Sequence, residues 1–269
     1  MSAAMESFKA GRLAAAIESA AAAVRNRPTA VEERSLLSEL LCFQGDLERA
    51  DRQLDAVLRV DPQTLQGVSL MRHLLRSETS RREVFEQGRL PEFSGPPSAS
   101  LQFRLRALTE FRGGAFQEAA ELVRAAQELE LDVEGECADV PFKGFRDLDD
   151  LLGPVLEVFT ATGAYYWLEA SEIETLEPDP ILHLADMLWR PAAIQTRTGI
   201  SGRVHLPALY YGSHLATDGS LQTGHATDWR ESGHAGLVRG LGRREYLVGD
   251  EAVSALELQR LVLRSGVSA

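Results

Sequence analysis

The sequence predicts an α+β fold, in which tetratricopeptide-like helical hairpins are followed by a compact β-rich domain, either an antiparallel sheet or a partial barrel. Two observations support this prediction. Up to about residue 130, apolar side chains recur three and four positions apart, which is the spacing of amphipathic helices. After Gly163 the chain changes to short runs rich in β-branched and aromatic residues, bounded by Gly, Pro, Asp and Ser, which is typical of strands.

The clearest helical hairpin is predicted between residues 30 and 62. Apolar residues form one stripe before Gly45 and a second stripe after it. Glycine reaches the positive φ that ends a helix, and Asp46 after it is a good cap for the next helix. Pro62 ends the second helix because proline lacks the backbone N–H.

This hairpin has counterparts elsewhere in the first half. Gly11 and Gly45 are 34 residues apart, as are Pro28 and Pro62, and Gly114 begins a third copy of the turn. A 34-residue period of paired helices is the signature of tetratricopeptide repeats. The alternative is a set of unrelated hairpins that share a turn.

The other helices of the first half are predicted from the same periodicity. A long helix at 65–85 has no partner at the 34-residue spacing, whereas 101–111 and 116–129 form a third hairpin. One more helix is expected at 151–160. The predicted division is a helical domain at 1–134, an acidic connecting segment at 135–150 and the β-rich domain at 151–269.

Besides the helix at 151–160, five strands and one further helix are predicted in the β-rich domain. The strands are 165–168, 192–196, 203–206, 244–248 and 256–263, and the helix is 180–189. Because strands and helices do not alternate regularly, an antiparallel arrangement is expected.

Composition limits the function classes. The chain has 269 residues, 44% of them hydrophobic and 25% charged, with a net charge of −12. An acidic surface repels phosphate backbones, so no nucleic acid partner is expected. No apolar run is long enough for membrane insertion, and the start lacks the pattern of a secretory signal. The predicted compartment is therefore the cytoplasm, and Cys42 and Cys137 are expected to stay reduced.

Sequence motifs for catalysis are largely missing, and no cofactor is predicted. There is no GxxxxGK[ST], GxSxG or HExxH motif. The alternative hypothesis is a metal-dependent or acid/base enzyme that uses His205, His214, His225 or His234. Their separations match no compact ligand pattern, so packing or surface roles are favoured over a metal site.

Stacked helical hairpins predict a concave face lined by the first helix of each pair. An apolar floor with mixed charge fits an amphipathic helix laid in a groove. A competing interface is predicted at the two Trp–Arg pairs, because Trp and Arg are common at binding hot spots. The candidate partner-binding residues are Glu39, Phe43, Leu101, Arg104, Leu108 and Phe111 on the concave face, and Trp189, Arg190, Trp229 and Arg230 in the β-rich domain.

An ordered set of short motifs resembles the ImpE family of bacterial type VI secretion. The motifs are LLCFQG at 40–45, RREVF at 81–85, LGPVLE at 152–157, YYW at 165–167, LWRPA at 188–192, LPALY at 206–210, ATDW at 226–229 and LVGDE at 247–251. The resemblance implies a non-enzymatic accessory role near the contractile sheath. It also implies that the partner is the N-terminal helix of the small sheath subunit (TssB, or VipA), with possible work alongside the sheath-recycling ATPase ClpV.

Overall fold

The structure is a computed structural model that describes residues 2–232 and 236–265. Its first half is helical and its second half is built mainly from strands, so the fold is α+β as predicted. The helices are α1 (Ala3–Lys9), α2 (Leu13–Asn26), α3 (Val31–Gln44), α4 (Leu47–Val60), α5 (Leu65–Gln87), α6 (Ala99–Arg112), α7 (Phe116–Gln127) and the short α8 (Gly219–Gln222).

The helices pair in the way that the turn residues indicated. α1 packs on α2, α3 on α4, and α6 on α7. α3 ends at Gly45, whose φ of +82° only glycine adopts readily. The Asp46 side chain then accepts a hydrogen bond of 3.1 Å from the Arg49 N–H and so caps α4. Gly11 has the same left-handed conformation between α1 and α2.

The strands form one large antiparallel sheet and two small ones. They are β1 (Val133–Cys137), β2 (Val140–Lys143), β3 (Phe145–Asp147), β4 (Val155–Thr160), β5 (Tyr165–Glu169), β6 (Ile173–Pro178), β7 (Trp189–Thr196), β8 (Ser201–Pro207), β9 (Thr227–Ser232), β10 (Leu237–Gly242), β11 (Glu245–Val248), β12 (Glu251–Ser254) and β13 (Leu261–Ser265). The large sheet has the order β2-β1-β13-β6-β7-β8-β4-β5, and the small sheets are β12-β11-β3 and β10-β9. The large sheet is open, because its outermost strands β2 and β5 do not pair with each other. An antiparallel sheet is one of the two arrangements that the sequence predicted.

Two predicted helices of the second half are wrong. Residues 151–160 form a turn followed by β4, and 180–189 contain only the 3-10 helix Leu184–Met187 before β7 begins at Trp189. β4 is buried on both faces. A strand of that kind is a continuous apolar run, which periodicity alone does not distinguish from a buried helix.

The segment 135–150, expected to be an acidic connection, is folded into the sheets. It contains most of β1 together with β2 and β3. β1 pairs with β2 and β13, and β3 pairs with β11. Its acidic side chains form cross-strand ion pairs, such as Glu136 of β1 with Arg264 of β13 at 2.7 Å.

One cluster of buried apolar side chains extends through both halves of the chain. It includes Phe43 on α3, Phe85 on α5 and Trp167 on β5, so the helices and the large sheet share a core. The domain boundaries at 134 and 150 stay a prediction.

Candidate functional site

Four residues of the predicted concave face are buried in the structure. Phe43, Leu101, Arg104 and Leu108 are each between 1 and 3% exposed. Phe43 lines a small cavity together with Leu209, and Arg104 donates a 2.7 Å hydrogen bond to the Asp150 carbonyl. Because these four side chains are already enclosed, they do not offer a partner an open surface, contrary to the premise of the prediction.

The turn glycines explain how close this covering is. A Cβ atom built on Gly45 would lie 2.4 Å from the ring of His214, and one on Gly11 would lie 2.8 Å from Ser220 Oγ. Such distances are far below van der Waals contact. The glycines in the turns of the first two hairpins, Gly11 and Gly45, therefore also allow the close approach of residues 213–222.

A buried ionic cluster joins α5 to the large sheet. Arg81 donates to both carboxylate oxygens of Glu157 on β4, at 2.8 and 3.0 Å, and to the Leu209 carbonyl at 3.1 Å. Arg244 and Tyr165 also bind Glu157. Burial by itself would raise the pKa of Glu157, but the guanidinium groups of Arg244 and Arg81 lower it to about 2. Glu157 is therefore a permanent carboxylate and is not suited to moving protons near neutral pH.

The cluster continues towards β10. Asp149 accepts from Arg239 Nε at 2.7 Å, and Arg239 lies over the ring of Phe111 at 4.9 Å from its centroid. Asp147 is fully buried beside Arg244. Burial raises the pKa of Asp147 to about 7, although Arg244 opposes the shift. These contacts place the predicted site residue Phe111, which is half-buried, against the β-rich part of the chain.

Sequence reasoning missed this cluster. Arg81 and Glu157 are 76 positions apart, and no motif connects them. One signal was present, however: Glu157 is the only charged residue in the apolar run 151–160. An acid inside a fully buried strand needs a cationic partner.

The helical part retains one apolar pocket that is open to solvent, which we call the α3–α5 pocket. Its volume is about 320 Å³, and its lining is mostly apolar. The lining residues are Ser35, Glu39, Leu54, Val57, Thr64, Gly67, Val68 and Met71. The predicted site residue Glu39 is therefore part of a concave apolar surface, formed by α3, α4 and the start of α5.

Glu39 is the ionisable group in the lining of this pocket. Its burial, with a smaller contribution from the nearby negative charge of Asp186, raises its pKa to about 7. The carboxyl group is therefore readily neutralised, and a cationic neighbour would favour its charged form. Val60 and Leu65, at the adjoining ends of α4 and α5, are 41 and 59% exposed and add apolar surface on these elements.

The two Trp–Arg pairs have different environments. Trp189 is 1% exposed, and Arg190 donates hydrogen bonds of 2.8 Å to the carbonyls of Ala255 and Leu258. That pair holds the 255–258 turn and is not an exposed interface. Trp229 is 39% exposed on β9, where its ring contacts Tyr210, and Arg230 beside it is exposed as well.

The described histidines contact different elements. The buried Nδ1 of His205 has no hydrogen-bond partner, His214 lies near the Tyr211 ring, and His225 lies edge-on to Phe8. His234 lies outside the described residues. Within residues 2–232 and 236–265, no group of three or more His, Cys, Asp or Glu side chains is placed to hold a metal ion. In the same ranges, no helix is long and apolar enough to cross a membrane.

The fold and its surfaces define the class of protein as helical hairpins packed on an antiparallel sheet, with one apolar pocket among the helices. The ImpE protein family profile matches residues 139–262. The chain is 32% identical to the type VI secretion system accessory component TagJ of Pseudomonas aeruginosa, over 85% of this chain and 81% of that protein. A crystal structure of a Vibrio parahaemolyticus protein superposes with a TM-score of 0.90 at 27% identity and covers 98% of both chains. The chain belongs to the ImpE family of type VI secretion accessory components.

Proposed function

We propose that this chain is a non-enzymatic accessory factor that acts in the cytoplasm and binds the N-terminal helix of the small sheath subunit. The observation that supports a helix as ligand is the α3–α5 pocket. Its walls come from three helices and are mostly apolar, which fits one large apolar side chain projecting from an amphipathic helix. An anchor of this kind supplies much of the binding energy of a helix in a groove.

Glu39 gives the pocket a preference for a ligand that carries a positive charge. A carboxyl group with a pKa of about 7 is costly to keep charged in its present surroundings. A Lys or Arg placed one helical turn from the apolar anchor would lie beside it and remove that cost. The proposed ligand is therefore an amphipathic helix with a large apolar residue and a neighbouring cation.

The test is titration of a peptide of the small sheath subunit's N-terminal helix against the full chain. Met71→Glu places a charge in the pocket at a half-buried position, and we expect it to weaken binding roughly tenfold or more, since burying an unpaired charge costs more than about 1.4 kcal/mol. The matched control is Leu90→Glu, at a residue that is 63% exposed in the loop after α5. The control should bind as the unchanged chain does.

Trp229→Ala decides between this site and the competing one. Unchanged affinity in Met71→Glu together with loss in Trp229→Ala would move the helix site to β9. No binding by the unchanged chain would refute the proposed partner. His205, His214 and His225 contact different elements, so no observation favours the alternative of a histidine-dependent enzyme.

A further inference from the structure

Strand β9 has an outer edge with no strand beside it in the described part of the chain. It pairs only with β10, in a two-stranded sheet. Its central residues Asp228, Trp229, Arg230 and Glu231 are all exposed. An exposed strand edge is a template for another strand, because its backbone N–H and C=O groups lack partners.

The hydrogen-bond pattern shows which backbone groups face outwards. Arg243 N–H donates to the Ala226 carbonyl at 2.9 Å, so Ala226 and every second residue after it bond inwards to β10. The intervening residues Thr227, Trp229 and Glu231 therefore point their backbone groups away from β10. In agreement, the Trp229 N–H is bonded to the side chain of Asp228, at 3.0 Å, and not to β10.

The side chains on either side of Trp229 carry opposite charges. Asp228 and Arg230 lie on the same face of the strand, since they are two positions apart. Neither forms an ion pair within residues 2–232 and 236–265. Arg230 lies opposite Arg239 of β10, and Arg239 is already bound by Asp149. Arg230 is therefore a cation whose nearest cross-strand neighbour is another cation.

We propose that the outer edge of β9 binds β9 of a second copy of this chain, antiparallel and centred on Trp229. In this register Trp229 faces Trp229, and the outward backbone groups of both copies form hydrogen-bonded pairs. Asp228 of each copy faces Arg230 of the other, so two ion pairs form across the edge.

Neighbouring registers do not satisfy both requirements. Centring on Asp228 places two carboxylates opposite each other, and centring on Arg230 does the same with two guanidinium groups. If the dimer axis passed between two residues, each residue whose backbone groups point outwards would lie opposite one whose groups point inwards. The hydrogen bonds between the two strands could then not form. Charge and backbone direction therefore select a single register, and the occupant that satisfies both is the same strand.

Sedimentation of the full chain over a micromolar to millimolar concentration series tests this dimer. We expect a concentration-dependent dimer for the unchanged chain. Asp228→Arg and Arg230→Asp each convert both ion pairs into like-charge pairs, so each should raise the dissociation constant roughly tenfold or more. Asp250→Arg, the same charge change at an exposed turn, is the control and should leave the dimer unchanged.

Mixing the two variants is the decisive measurement. The Asp228→Arg chain carries a cation on each side of Trp229, and the Arg230→Asp chain carries an anion on each side. Both pairs across the edge then join opposite charges, so the mixture should form a heterodimer at concentrations where each variant alone stays monomeric. The variant that carries both substitutions should dimerise like the unchanged chain. A monomeric unchanged chain at all concentrations, or a mixture that stays monomeric, would overturn the inference and leave the edge to an extended segment of another protein.

Discussion

Replacing Arg81 by Met should destabilise the protein strongly, because it breaks the buried contact between α5 and β4. Arg81 is 4% exposed and donates three hydrogen bonds, two to the Glu157 carboxylate and one to the Leu209 carbonyl. Met preserves most of the apolar stem, so the change removes the charge and the donors with little loss of packing.

The expected loss of stability follows from the Glu157 charge, which stays buried when Arg81 is removed. Removing one partner of a buried ion pair costs about 3–5 kcal/mol, since the remaining charge stays buried. Arg244 and Tyr165 still bind Glu157 in the variant. We therefore expect a value near the lower end, about 3 kcal/mol.

Denaturant unfolding followed by tryptophan fluorescence measures this effect, because the Trp167 indole donates to Tyr165 within the same cluster. Arg260→Met is the matched control. Arg260 lies 2.7 Å from Glu177, but both side chains are about half exposed, so its loss should change stability far less than the loss of Arg81 does. If Arg81→Met changed stability by no more than the control, the cluster would not hold the two halves together.

Two further predictions concern Glu39 and the turn glycines. Burial and the charge of Asp186 raise the pKa of Glu39 from 4.5 to about 7, so the folded chain binds more protons than the unfolded chain between these values, and stability falls as pH rises through them. Glu39→Gln should remove this loss and stabilise the protein by about 1–3 kcal/mol above pH 7. Denaturant unfolding at several pH values measures the effect. If the variant and the unchanged chain had the same dependence of stability on pH, the Glu39 carboxyl group would be solvated. Gly45 and Gly114 share a φ of +82°, but only Gly45 lies against His214. Gly114→Ala should therefore lower the free energy of unfolding by about 1–2 kcal/mol, because alanine disfavours the left-handed backbone. Gly45→Ala should lower it by about 1–3 kcal/mol more, because the added Cβ overlaps the His214 ring. Equal losses would show that the ring moves to make room for the Cβ.

Part of the candidate site could be predicted from the sequence, and part could not. Glu39 was identified because helical spacing assigns it to the first helix of a hairpin, and the structure has it lining an apolar pocket. Leu101, Arg104 and Leu108 were assigned to an open face by the same reasoning, but they are buried. The spacing identified the side of the helix correctly and carried no information on what covers that side.

The sequence by itself determined the local structure of this protein. Glycines able to adopt positive φ, an Asp cap and apolar stripes at helical spacing define the hairpins, because these features depend on residues only a few positions apart. Short runs rich in β-branched and aromatic residues predicted β5, β7, β8, β11 and β13 for the same reason, which is five of the 13 strands in the described residues.

Only the tertiary structure decided which surfaces remain open. Arg81 and Arg244 meet at Glu157 although they are 76 and 87 positions away from it along the chain, and their pairing fixes α5 against the large sheet. The docking of residues 213–222 on Gly11 and Gly45 encloses the face that the repeat pattern leaves exposed. Contacts between distant segments depend on how complete elements fit together in space, so no local pattern contains them.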